Sequence, residues 1–353
     1  MTRYMLVTAF TYHQVMARFV DFLFSFGKQD HPKDFHFSGL YDEMHLSDDQ
    51  PSLSLPDLGR SGTDFKMCYN LKSVESSSSQ PHFPWSVRQL AVYHSFDVIT
   101  GKSFWIMIKG DELIKRRIKA ATDPSSHPNL DLPSPLQSFL VTLAVQLIIF
   151  DWCREQWRWY ISYLEELQEI TTRRALTMSF DRPATLPSND TPSRAATAPV
   201  GKVKRAVTQI IKRAASATGT LPPPIPLQSI PQTAPLPEFE PDLENTKSFS
   251  FSDLQKVQSY EEKVRELLLV VGSNIKIVTA IKDYYMELVE SSEFPDEIKL
   301  GSTRKIKDFQ RAVFSIVNDL EMQHSRASML LSTLTNRKGL VRKLKFSFQI
   351  CVC

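Results

Sequence analysis

Between Ile306 and Leu334 the chain steps by alternating threes and fours through Ile306, Phe309, Val313, Ile316, Leu320, Gln323, Ala327, Leu330 and Leu334. This is heptad spacing, and a helix that carries it has one apolar seam that must lie against another helix. The seam predicts a helix from about Ser302, with a polar interruption at Gln323 and Ala327. A second long helix is predicted from Ser250 to about Ser291, with Leu254, Val257, Val264, Leu268, Val271, Ile275, Val278, Ile281, Tyr285 and Leu288 on its apolar face. Ser250, with Asp253 three residues on, supplies a start signal, and Pro295 is expected to close the helix off. A third helix is predicted to run unbroken from near Pro135 to about Ala175, stepping through Phe139, Leu143, Leu147, Phe150, Cys153, Trp157, Tyr160, Leu164 and Leu167.

The most apolar run, Phe139 to Phe150, is interrupted by Gln146 and followed at once by Asp151, Arg154 and Glu155. A bilayer core needs about 20 apolar residues. The run is therefore expected to be the buried part of a longer soluble helix. One further helix is expected from Thr8 to Gly27, with Val15, Met16, Phe19, Val20, Phe22, Leu23 and Phe26 at three-to-four spacing. Met1 to Phe26 carries polar residues throughout and has no small-residue cleavage site, so it does not read as an export signal. Cys68 and Cys153 sit in apolar contexts, far from Cys351 and Cys353, which suits buried thiols in a reducing compartment. Cytoplasmic placement is the expectation for the chain as written.

From about Phe35 to Gly110 the pattern changes to short runs of aromatic and β-branched residues between Ser, Pro, Asp and Gly clusters, which predicts strands. Val87–Phe96 and Lys102–Ile108 are expected to pair as a hairpin, with Asp97 and Gly101 supplying the turn. A short basic helix is expected from Asp111 to Ala121.

Residues 178–247 lose all periodicity and are dense in Pro, Ser, Thr and Ala. Such a composition buries too little apolar surface to offset chain entropy, so a disordered insert is expected. Inside it, Val203, Ile210 and Ile211 stand opposite Lys202, Lys204, Arg205, Lys212 and Arg213. A solvated basic stretch is the plain reading. The alternative is a basic amphipathic helix that docks on an anionic membrane surface or an acidic partner, or serves as a targeting signal.

The sequence holds no P-loop, no G-x-G-x-x-G, no G-x-S-x-G, no EF-hand series and no kinase motif set. No nucleophile, base and orienting group assemble from a local motif, so the chain reads as a non-enzyme. The eight histidines fall at no zinc spacing, and His31 and His36 with Asp30 and Asp34 read as an ordinary loop. With 42 basic and 39 acidic residues the net charge is +3. That balance gives no field for a polyanion, and Trp152 and Trp157 adjoin the apolar seam instead of basic residues, so a nucleic-acid partner is not expected.

The segment Pro84–Gly110, and within it Pro84, Trp85, Ser86, Arg88, Gln89, Tyr93 and His94 followed by the Phe96-Asp97 turn, resembles the fungal CorA-like transporter domain family. The Tyr12-His13-Gln14-Val15 block, the strand Phe65–Lys72 and the helix end Ser328–Val341 are similar to the same family. The resemblance implies a cytosolic α/β domain, long funnel and stalk helices, and then two membrane helices with a Gly-Met-Asn signature, assembled as an oligomer that moves Mg²⁺ or a related cation. No Gly-Met-Asn occurs here, so the sequence reads as a form that ends before those helices, and membrane placement would follow only for a longer product that carries them. The family's metal-sensing acids have no fixed motif to carry over, and no cofactor is expected beyond Mg²⁺ by resemblance.

The expectation is thus an α+β chain. It has a mixed α/β head with a small β-sheet over 1–125, a long helix over 135–177, the insert over 178–247, long antiparallel helices forming a bundle or stalk over 250–341, and an atypical tail over 342–353. Its expected role is a regulatory or assembly domain of a CorA-like divalent-cation transporter relative. It would not transport alone, and it would associate with copies of itself or with a full-length transporter. A peripheral scaffold docking through the basic insert is the alternative.

Overall fold

A computed structural model describes residues 2–27, 37–47, 52–78, 83–123, 134–176 and 251–350, without the side chains of 173–176, 251 and 341–350. The expected insert, its Lys202, Lys204, Arg205, Lys212 and Arg213, the Ser250 cap, and His31 and His36 lie outside the described residues. The elements are α1 (Arg3–His13), α2 (Phe19–Phe24), β1 (Leu40–His45), β2 (Asp64–Ser76), β3 (Trp85–Asp97), β4 (Ser103–Ile108), α3 (Glu112–Thr122), α4 (Pro135–Arg154), α5 (Trp157–Leu176), α6 (Phe251–Glu290) and α7 (Asp296–Ile350).

The four strands form one antiparallel sheet in the order β1-β2-β3-β4. Alternation along β2 and β3 sends successive side chains to opposite faces. Met67, Tyr69, Leu71, Leu90, Val92 and Phe96 join the large core with α4, α5, α6 and α7. Cys68, Ala91 and Tyr93 join a smaller one with Met16, Phe19 and Phe22. The sheet is therefore a middle layer, which is why β2 is buried along nearly its whole length. The expected α+β class and the expected hairpin are both present. In the turn, Asp97 Oδ1 accepts from the N–H of Ile99 (3.1 Å) and Thr100 (2.8 Å). Gly101 has φ of 70°, and a Cβ there would stand 2.8 Å from Pro135 Cα, so the turn needs glycine both for its backbone and for its seat on the start of α4.

Three helix expectations are corrected. The N-terminal helix is two helices, because Gln14 takes a left-handed φ of 51° and the chain turns there. α1 buries no residue, whereas α2 packs Phe19 and Phe22 with Cys68, Ala91 and Tyr93 of the sheet, and a straight helix would not serve both segments. The 135–175 helix also breaks, at extended Glu155 and left-handed Gln156 (φ 67°). Finally, Pro295 does not only end α6. It precedes a new helix that starts at Asp296, six residues before Ser302, where proline's fixed φ suits a first turn and Asp296 and Glu297 meet the positive end of the helix. That helix continues to Ile350, through most of the segment expected to be an atypical tail.

One stretch, Pro135–Thr172, is long and apolar enough to cross a membrane by length and composition, and half of its most apolar window is buried inside the fold. The polar interruption at Gln146 is itself fully buried. Tyr69 donates its hydroxyl to Gln146 Oε1, and Gln146 Nε2 donates to the Tyr285 hydroxyl (3.3 Å) and faces Met67 Sδ (3.4 Å). One amide thus ties sheet, α4 and α6 together where an apolar residue would leave two buried hydroxyls unmatched.

Candidate functional site

The recognised motif is a piece of scaffold. Trp85 and Ser86 open β3 opposite Ser76 and Glu75, and Trp85 packs on Tyr160 (5.9 Å between ring centres). Arg88 is exposed and pairs with Glu75 across the strands. Gln89 Nε2 donates to Ser25 C=O (3.2 Å), and Tyr93 donates its hydroxyl to Gln14 C=O (3.4 Å), so both fasten the segments around α2 to the sheet. Pro84 C=O accepts from Ser77 N–H (2.8 Å), which closes the end of the β2–β3 ribbon. The structure thus spreads these residues along one strand without converging them on a common point.

His94 is the chemically unusual member. It is fully buried, stacked on Trp105 (3.9 Å) with Phe65 edge-on (5.6 Å), and its Nε2 lies 3.2 Å from Ser103 Oγ. Burial pushes its pKa from the ordinary 6.5 down to about 3. Between those values the unfolded chain binds a proton that the folded chain does not. Stability is therefore expected to fall as pH drops below about 6.5, at about 1 kcal/mol per pH unit. Urea unfolding of wild type and His94→Gln between pH 7 and pH 4 checks this, because the variant should lose that increment of slope.

A second buried polar feature was not visible in the sequence. β1 covers only the Asp64–Tyr69 half of β2, so among the described residues no strand lies beside the outer edge of β2 beyond Tyr69. Asn274 of α6 fills the gap at Lys72: its Oδ1 accepts from Lys72 N–H (3.1 Å) and its Nδ2 donates to Lys72 C=O (2.6 Å). Lys72 Nζ donates to Phe37 C=O and Ser38 Oγ, both at 2.7 Å, and burial lowers its pKa to about 8.

α7 presents the most extended surface. Its expected seam is buried: Ile306, Phe309, Val313, Ile316, Leu320, Ala327, Leu330 and Leu334 face the bundle. Arg326 pairs with Glu165 of α5, Arg337 donates to Thr172 (2.6 Å), and Lys338 pairs with Glu261 of α6 (2.8 Å). The opposite face is polar for the most part but carries four exposed apolar residues. Leu300, Phe314, Met322 and Met329 are 77%, 71%, 63% and 73% exposed. At 3.6 residues per turn they fall within about 40° of one direction, roughly opposite the buried seam. Among the described residues no group of three or more His, Cys, Asp or Glu is placed to hold a metal ion.

Residues 1–176 match the family model described as CorA-like transporters. The chain belongs to the CorA-like family. Membership relates it to the divalent-cation transporters and agrees with the blocks at Tyr12–Val15, Phe65–Lys72 and Pro84–Gly110, all inside the matched stretch. The block Ser328–Val341 and the whole of α6 and α7 lie outside it. No curated protein and no solved structure matches this CorA-like chain. In its head the family motif builds a sheet.

Proposed function

We propose that this chain is the extramembrane regulatory and assembly part of a CorA-like divalent-cation transporter relative. It does not conduct cations by itself, and it joins copies of itself, or a full-length CorA-like transporter, through the outer face of α7. The observation that carries this reading is the apolar row Leu300, Phe314, Met322 and Met329, held out on a helix whose other face is already packed. Exposed Arg304, Lys307, Arg311, Asn318 and Ser325 stand between them on the same side, so the row offers a partner helix separate apolar contacts within a polar face. The most apolar helix supports the same reading, because it is half buried in the core rather than free to enter a bilayer.

Light scattering after size exclusion, with and without Mg²⁺, tests it. The expected result is a mass of several chains, returned to one chain by the triple substitution Phe314→Lys, Met322→Lys and Met329→Lys, with helix content unchanged. A single-chain mass at every Mg²⁺ concentration, together with no co-purification from membranes, would refute it.

A further inference from the structure

β4 is an outer strand of the sheet, and among the described residues no strand pairs with its far edge. The register fixes which backbone groups this leaves open. Asp97 N–H donates to Lys102 C=O across the hairpin (2.9 Å). Antiparallel neighbours alternate between bonded and non-bonded pairs. Phe104, Ile106 and Ile108 therefore turn their N–H and C=O groups toward Ser95, Tyr93 and Ala91. Ser103, Trp105 and Met107 turn theirs outward. Proteins usually blunt such an edge with proline, a bulge or a covering element. Asn274 does this for the outer half of β2, but β4 has no proline, and its register with β3 is free of bulges.

The outer edge of β4 borders a cleft of about 1300 Å³ that α3, α4 and the end of α1 also line. Val141 and Val145 of α4 give it an apolar wall. Its carboxylates are already engaged: Asp64 with Lys66 (3.3 Å), Asp97 with the turn, and Asp111 with Ile114 N–H at the start of α3 (2.7 Å), while Asp123 also has a partner. Its cations are not all balanced. Arg60, Lys109 and Lys119 line the cleft with no ion pair among the described residues, and Arg60 Nη1 is buried without a hydrogen-bond partner.

We propose that this cleft takes an extended acidic peptide from a partner protein, which adds to β4 as a fifth strand. The peptide backbone bonds Ser103, Trp105 and Met107, its apolar side chains lie on Val141 and Val145, and its carboxylates answer Arg60, Lys109 and Lys119. Strand addition of this kind draws affinity from main-chain bonds and specificity from alternate side chains. Charge selects this occupant over a second copy of the chain, since pairing β4 with β4 would set the same unbalanced cations against each other. The six residues of β4 set the length, about 20 Å or one hexapeptide.

The probe is a fluorescein-labelled acetylated hexapeptide, Val-Glu-Val-Glu-Val-Glu, titrated into the full chain by fluorescence anisotropy. Two further versions carry N-methyl groups on the three valine amides or on the three glutamate amides. One of the two is expected to bind at least tenfold more weakly than the parent and the other within twofold, because only alternate amides face the strand. Raising salt from 50 to 500 mM is expected to weaken the parent at least fivefold, as is the double substitution Lys109→Glu and Lys119→Glu. The proposal is overturned if the parent does not bind at millimolar concentration or if both methylated peptides bind like it. It is also overturned by self-association that Met107→Pro reverses and the α7 substitutions do not, since the occupant would then be a second copy.

Discussion

Trp157→Ala is expected to lower the free energy of unfolding by about 3–5 kcal/mol, among the larger costs a single core truncation brings. Trp157 is fully buried and stands directly after the break between α4 and α5. Its indole N–H donates to Cys153 C=O at 2.8 Å. In an unbroken helix that carbonyl would accept the backbone N–H of residue 157. With Glu155 extended and Gln156 left-handed, the side chain supplies the donor that the backbone has withdrawn. Truncation therefore opens a cavity and leaves a buried carbonyl without its partner. Trp157→Phe separates the two contributions, since it keeps most of the ring's burial and should lose only about 1–3 kcal/mol for the unmatched carbonyl. Denaturant unfolding followed by circular dichroism reads both variants. A loss under 1 kcal/mol for Trp157→Ala would mean that the elbow does not depend on this residue.

Asn274→Leu is expected to cost about 2–6 kcal/mol although it opens no cavity, because it leaves a buried N–H and a buried C=O of Lys72 unmatched and each such group costs about 1–3 kcal/mol. Asn274 and Lys72 are nearly inaccessible to solvent, so water cannot replace the lost bonds. Hydrogen exchange gives the sharper test. The Lys72 amide should lose its protection in the variant, while the Lys66 and Cys68 amides, which lie on the same edge of β2 where β1 covers it, should keep theirs. Equal protection at Lys72 in both proteins would show that the amide clasp carries no weight.

The long helices and the hairpin were legible because their signals are local. The Ile306–Leu334 seam is periodic, and Asp97 and Gly101 lie four residues apart at a turn that needs both. The breaks at Gln14 and Gln156 were not legible, since neither residue is glycine or proline and each adopts its left-handed backbone only to seat neighbours, Phe19 and Phe22 in one case and Trp157 in the other. Asn274 gave no sign either, because an asparagine in a helical stretch reads as surface until the uncovered half of β2 is laid beside it. The outer row on α7 was present in the sequence as Phe314, Met322 and Met329, but these fall outside the heptad register and so look like ordinary scatter. The cleft beside β4 draws on α1, the hairpin, α3 and α4, segments whose proximity no local pattern encodes.

The length of α7 has a mechanical consequence. Its 55 residues make a rod of about 80 Å, and a turn of about 5° at one end would carry the other through about 7 Å. The rod is gripped by α6, and α6 is stitched to the sheet at Lys72. Because α7 is held to α5 and α6 as far as Lys338, such a turn would have to carry those helices with it.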